Sequence, residues 1–386
     1  MVYVLFSLSL IMVEIQIIKR GIKSFEKIKM EEQIDYMKSS DNTIDLIIRK
    51  RWTEDWRKIQ KNIKPKQCIL CKEIKTSYCN SHTIPQFILK NIAKSGLVGT
   101  PNAIIKLPNS NILDDSKGVK NSGVIHFICN LCDSKYFKEY ENPQKLKTGI
   151  SDKMLAEIAL KNFLLELSRI RLEKENLNNT LKNNSILTSR PFELQNFQNW
   201  DIEDFENEVE EHKKNIVTNN IGAYQVICRE LLPYKVPLAF QDSISVIEDM
   251  DGNGVNDTTD LSAQNRIQKL HVAILPLKDS TVVLAFYHKK DRKYRGLRHQ
   301  MNSVLQNKKL EFINYLIFAY SENYFFSLER EKDFISNPKL SQLSQELFGR
   351  PNLGFQILEN RFEDNYQKVR PDEIPNFLLK EWSLKG

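Results

Sequence analysis

The sequence predicts an α+β protein in which an N-terminal zinc module precedes a larger α+β domain built on an antiparallel sheet. Three observations carry this expectation. Two Cys-x-x-Cys pairs, Cys68/Cys71 and Cys129/Cys132, stand in the first half of the chain. The stretch 152–175, DKMLAEIALKNFLLELSRIRLEKE, repeats apolar positions with helical period. From about residue 222 the texture changes to alternating, β-branched runs separated by turn residues.

A chain of 386 residues exceeds the usual size of one hydrophobic core, so two domains, or one large domain with an appended module, are expected. Apolar residues make up 41% and charged residues 27%, which excludes an intrinsically disordered chain. The 56 Lys and Arg exceed the 49 Asp and Glu, and the resulting +7 favours a polyanionic partner without requiring one. Six cysteines are too few for a disulfide scaffold, so a reducing, cytoplasmic setting is expected.

Residues 1–29 begin with an apolar stretch, 1–18, that Glu14 and Gln16 interrupt; no basic residue precedes it and no small-residue cleavage site follows. It reads as a short anchor or buried helix, or as sequence upstream of a true start at Met30; no membrane partner is expected unless 1–18 is a real anchor. Residues 30–66 form a basic lead-in, with Trp52 and Trp56 at helical spacing and a helix ending at Pro65. Residues 67–142 form the zinc-binding module. Residues 143–386 form the C-terminal α+β domain, whose role the sequence leaves open: packing helices over 152–175 and 201–216, then strands in AYQVICREL, VPLAFQDSISVI, IQKLHVAILPL and STVVLAFYHK. A long apolar helix over 303–320 and a Pro-punctuated tail complete it.

Each Cys-x-x-Cys spacer lets a knuckle place two soft thiolates on one tetrahedral ion, so Cys68, Cys71, Cys129 and Cys132 are expected to hold a structural Zn²⁺. The alternative, two unrelated buried pairs, is disfavoured by their shared spacing. The long interval between the pairs must fold out as its own substructure. Cys79 and Cys228 lack such partners and read as core or free thiols.

After the first knuckle comes SHTIP, with His82 followed by Ile84 and Pro85, and the second pair is followed at once by Asp133. This order, Cys-x-x-Cys, His-x-Ile-Pro, then Cys-x-x-Cys with an acidic residue, resembles the HNH endonuclease family in its zinc-stabilised treble-clef (ββα-metal) form. The resemblance covers residues 67–142 only. It implies that His82 is the general base that activates water and that Asp133 holds a catalytic divalent ion, Mg²⁺ or Mn²⁺. Imidazole titrates near neutrality, as a base for phosphodiester attack must, and a carboxylate suits a hard ion. Glu141, two turns along an expected helix DSKYFKEYEN, is a second acidic ligand or a brace; alternatively Asp133 caps that helix and Glu141 is a surface residue. The family's middle Asn falls where this chain reads SGVIHFIC. Asn121 lies too early, and His126 is the nearest substitute, as a ligand or as the group that fixes the tautomer of the base; the alternative is an ordinary strand histidine.

The function expected is a metal-dependent endonuclease acting on nucleic acid, DNA before RNA, in the host-defence or mobile-element setting typical of such proteins. The alternative is a non-catalytic, zinc-stabilised module that binds nucleic acid or protein; an unrelated α+β enzyme with its site after residue 222 is a third reading. Two further segments invite function. Residues 249–260, DMDGNGVNDTTD, approximate a calcium loop but lack its terminal Glu, and a polar hairpin tip is the better reading. The basic run HKKDRKYRGLRH at 288–299 could track a phosphate backbone, or be solvated charge.

Overall fold

The computed structural model describes residues 57–101, 113–183, 190–258, 265–346 and 367–385, together with Glu54, Asp260 and Ser262. The apolar stretch 1–18 and both lead-in tryptophans lie outside the described residues. Residues 57–62 are helical, and Ile59 is buried against Leu172.

The architecture is α+β and rests on antiparallel sheet. The strands are β1 (Ser81–His82), β2 (Leu97–Pro101), β3 (Leu113–Gly118), β4 (Val124–Ile125), β5 (Tyr224–Leu232), β6 (Leu238–Ile244), β7 (Leu270–Pro276), β8 (Thr281–His288) and β9 (Tyr324–Phe326). The helices are α1 (Gln86–Ile92), α2 (Asn130–Tyr136), α3 (Pro143–Thr148), α4 (Asp152–Asn183), α5 (Arg190–Thr218), α6 (Arg295–Ser303), α7 (Gln306–Tyr320), α8 (Glu331–Ile335) and α9 (Pro338–Glu346). Seven strands form one sheet in the order β3-β2-β9-β6-β7-β8-β5, and β1 pairs with β4 in a separate ribbon; every pairing is antiparallel.

The four strands expected after residue 222 are present as β5 to β8. Every residue of β6, β7 and β8 is buried, because both faces of the sheet are covered. The period of two then sorts side chains between two cores. Ala273, Leu275, Val282, Leu284 and Phe286 face the core shared with the cysteine segment and α4. Val272, Ile274, Val283 and Ala285 face the core built with α6, α7 and the C-terminal tail. That tail is pinned by Asn314, whose amide donates to the Pro375 carbonyl and accepts from the Phe377 backbone N–H.

The helix at 152–175 extends to Asn183 and that at 201–216 to 190–218. They run antiparallel, since the contacts Arg171–Glu206, Lys174–Asn199 and Asn178–Gln195 descend one helix as they climb the other. The helix expected over 303–320 is α7, which starts at Gln306 and is preceded by the separate helix α6, and the aromatic run after it is a strand, β9.

Between the two cysteine pairs, β2 and β3 form a hairpin that joins the large sheet through β9, with Gly99 opposite Phe326. Further ties hold this segment to the sheet. Thr83 donates to Asn323 at 3.1 Å, and Asn91 to the Pro276 carbonyl at 2.9 Å. Gly123, at φ +59°, lies so close to the sheet that a Cβ there would sit 2.5 Å from the Phe325 ring. The cysteine segment is therefore packed on the sheet and continuous with its core.

Candidate metal centre and adjoining pocket

The four sulfur atoms of Cys68, Cys71, Cys129 and Cys132 lie within 4.8 Å of one another, with Cys71 Sγ and Cys129 Sγ 4.0 Å apart. Tetrahedral zinc with bonds of about 2.3 Å sets sulfurs about 3.8 Å apart, so the cluster has the size and donor type of a zinc site. Each knuckle is shaped by its backbone. A bridge between Gln67 and Ile74 closes the first, and Lys72, at φ 61°, donates its N–H to the Cys68 carbonyl at 2.8 Å. The second places Cys129 at the N-cap of α2 and Cys132 in its first turn. Ile69 N–H to the Phe127 carbonyl, at 3.1 Å, joins the two.

Burial pushes the Cys68 thiol up, but backbone N–H groups at Cys71, Cys129 and Leu70 outweigh it and bring the thiol down to about 7. The Cys129 N–H to Cys68 Sγ contact is 3.4 Å. Burial raises Cys71 and Cys132. Cys79 and Cys228 are free thiols, both pushed up to about 12 by burial.

The ribbon β1–β4 lies next to this cluster and sets His82 opposite Val124. His82 Nε2 is 3.1 Å from the Val119 carbonyl, which can only accept. The hydrogen therefore sits on Nε2 and the lone pair on Nδ1. Burial lowers the pKa of this imidazole; the Val119 and Asn80 carbonyls and Asp133 pull the other way, while Lys161 adds to the lowering. His126 of the same segment is held separately. Its Nδ1 meets the Cys79 carbonyl at 3.3 Å, and burial, with Lys64 nearby, lowers its pKa.

Asp133 and Glu141 converge, though not on one helix. The expected helix through 142 ends at Tyr136, with Phe137 as its cap. A following turn carries Glu141 back toward Asp133, and buried Glu157 of α4 steadies it by accepting from the Glu139 and Tyr140 N–H groups at 3.0 and 2.8 Å. Burial raises Glu157 to about 7 and Glu141 to about 6, the second opposed by Lys161 and aided by Asp133.

Lys161 of α4 is the residue that the sequence analysis passed over. Its side chain is completely buried, and its Nζ lies 2.7 Å from Ser81 Oγ, 3.0 Å from Asp133 Oδ1, 3.9 Å from Glu141 Oε1 and 3.5 Å above the Phe137 ring centre. Ser81 donates to the same Asp133 oxygen at 2.7 Å. Hydroxyl, two carboxylates and aromatic face thus surround one ammonium. The signal in the sequence is a lysine on the face that also carries Met154, Glu157, Ile158, Leu164 and Leu165.

A divalent ion at Asp133 fits this donor set poorly: Oδ1 is taken by Ser81 and Lys161, and the ion would share the pocket with an ammonium that has no route to water. Among the described residues the four cysteines form the one group with metal-holding geometry.

A second polar cluster lies under α5. His212, His271 and His288 are buried with their rings 5.6 and 5.7 Å from His212 at the centre, beside Tyr224 and Phe163. Tyr224 meets His212 Nδ1 at 2.6 Å and Asn162 meets His271 Nδ1 at 3.2 Å, whereas both nitrogens of His288 lack partners among the described residues.

The two other segments make local contacts. Asp249 accepts from the backbone of Asp251 and Asn253 in a polar turn, closed by a bridge from Glu248 to Gly254. In the basic run, Lys290 pairs with Glu208, Lys293 donates to the Arg266 carbonyl and Arg298 to the Val226 carbonyl. No described helix is long and apolar enough to cross a membrane. The chain matches no protein-family model, and comparisons with curated proteins and with solved structures find no match.

Proposed function

We propose that residues 67–142 are a zinc-stabilised HNH-type module of treble-clef form and that the protein hydrolyses phosphodiester bonds in nucleic acid, DNA in preference to RNA. The observation that carries this reading is the placement of His82: on the first strand of a short ribbon, anchored through Nε2 to a backbone carbonyl, with the helix α2 leaving the second cysteine knuckle alongside. Zn²⁺ on the four thiolates would supply the fold with the cross-link that so small a ribbon needs, and take no part in chemistry.

In this mechanism His82 Nδ1 accepts a proton from water as the oxygen attacks phosphorus and the bond from phosphorus to the leaving sugar oxygen breaks, that oxygen taking its proton from solvent; the lowered pKa keeps the ring unprotonated at neutral pH. The Val119 carbonyl holds the tautomer in which that lone pair is available. The Mg²⁺ or Mn²⁺ that the HNH resemblance brings with it does not fit beside Lys161. That same observation favours a second reading: a module that binds nucleic acid or protein without cutting.

Zinc-loaded protein incubated with plasmid, single-stranded DNA and RNA, with and without added Mg²⁺ or Mn²⁺, decides between them. His82→Ala is expected to slow cleavage by roughly 10²- to 10⁴-fold, the usual contribution of a general base. Equal cutting by the variant eliminates the nuclease reading, and retained nucleic-acid binding with no cleavage under any condition supports the second.

A further inference from the structure

We infer that the ammonium of Lys161 is the resident cation of the pocket formed by Ser81, Asp133, Glu141 and Phe137, so that this protein keeps a lysine where a divalent ion would otherwise be coordinated. The inference concerns the charge of the pocket and stands whether or not the protein cuts nucleic acid.

Three features separate this arrangement from an incidental ion pair. The first is burial: Lys161 is fully inaccessible, and a lysine is held in an interior only where partners replace its water. The second is the form of its surroundings. Ser81 Oγ at 2.7 Å and Asp133 Oδ1 at 3.0 Å are bonded to the nitrogen and to each other, so three polar atoms close a triangle. The Phe137 ring, 3.5 Å from Nζ, presents its negative face to the charge, and Glu141 stands behind at 3.9 Å. The third is origin. Ser81 comes from β1, Asp133 from α2 and Glu141 from the turn after it, all within 67–142, whereas the cation arrives from α4, outside that segment.

The consequence is electrostatic. Two carboxylates sharing a pocket repel one another and attract a cation; an internal ammonium meets that demand permanently, and a Mg²⁺ or Mn²⁺ ion entering beside it would face a like charge at close range. Lys161 is thus a positioning residue that sets the orientation of Asp133 and closes the site to divalent ions. Replacing it with an uncharged side chain of similar length should leave a hydroxyl and two carboxylates around a vacated position, a donor set suited to a hard ion.

The test is Mn²⁺ binding to the zinc-loaded full chain without nucleic acid, read as loss of the free-ion electron paramagnetic resonance signal. Wild type is expected to bind no stoichiometric Mn²⁺ in this pocket. Lys161→Met is expected to gain one equivalent, with affinity raised at least about tenfold by removal of a unit charge at contact distance, and Lys161→Met/Asp133→Asn to lose it. Stoichiometric Mn²⁺ on wild type that Asp133→Asn abolishes would overturn the inference. So would a folded Lys161→Met that gains no ion, which would reduce the lysine to a structural partner. Should Lys161→Met fail to fold, the wild-type and Asp133→Asn titrations decide: an ion lost with the carboxylate refutes resident charge, and none bound upholds it. Cleavage by wild type, lost in His82→Ala, bears on the nuclease reading alone.

Discussion

Acidification should destabilise this fold through His288, and the size of the effect can be worked out. The ring is buried on β8 with neither nitrogen bonded among the described residues, next to His212, Lys289 and Lys290 and opposed by the charge of Glu208. Burial first, then those neighbours, lowers its pKa from 6.5 to about 3. A folded-state pKa below the unfolded value means that stability is complete above about pH 6.5 and falls as pH drops toward 3, because the unfolded chain takes up the proton first. Linkage gives a loss of about 2 kcal/mol between pH 7 and pH 5 from this group. His212 and His271 shift in the same direction, whereas Asp242, Glu157 and Asp291 are raised and oppose it, so the total pH profile mixes signs. The difference between wild type and His288→Gln isolates the term. Urea unfolding of both proteins at pH 7 and pH 5 is the assay: wild type should lose about 2 kcal/mol more than the variant over that interval. Equal losses would show that His288 reaches water or a partner in the folded protein and would refute the reasoning.

Two further outcomes follow from the geometry. Elemental analysis of purified protein should find about one tightly held zinc per chain; Cys129→Ser should lose it, and chelation should unfold the cysteine segment and expose Phe127 and Ile128, a change measurable by limited proteolysis at unchanged pH. Gly123→Ala should destabilise the protein by about 2–4 kcal/mol, combining the cost of φ +59° with a Cβ 2.5 Å from the Phe325 ring and 2.8 Å from Thr83 Oγ1. A melting temperature unchanged by that substitution would mean that the ribbon does not press on β9.

Local pattern determined a good part of this protein in advance. Two equal cysteine spacings told which four sulfurs would meet, because a knuckle is a property of a few consecutive residues. The runs at β5 to β8 and the apolar period of α4 marked strands and a packing helix, since each element must bury a face of its own. Other features exist only in three dimensions. The strands β2, β3 and β9 carry little of their own pattern: LVGTP, LDDSKG and YFF become sheet because each finds a partner, and β2 meets β9 across most of the chain. The tie from Thr83 to Asn323 spans 240 residues and has no local signature. His82 was legible as a residue, but its anchor, the Val119 carbonyl, was not, since a backbone acceptor leaves no trace in side-chain identity. Glu141 reached Asp133 by a turn instead of the helix expected to carry it. Lys161 is the sharpest case: on its own helix it is one lysine on a largely apolar face, and only docking of α4 against the cysteine segment surrounds it with Asp133, Glu141 and, 80 residues away in the chain, Ser81. Short-range spacing can announce which groups bind a metal together; which charge fills a pocket is decided by the long-range packing that buries that charge.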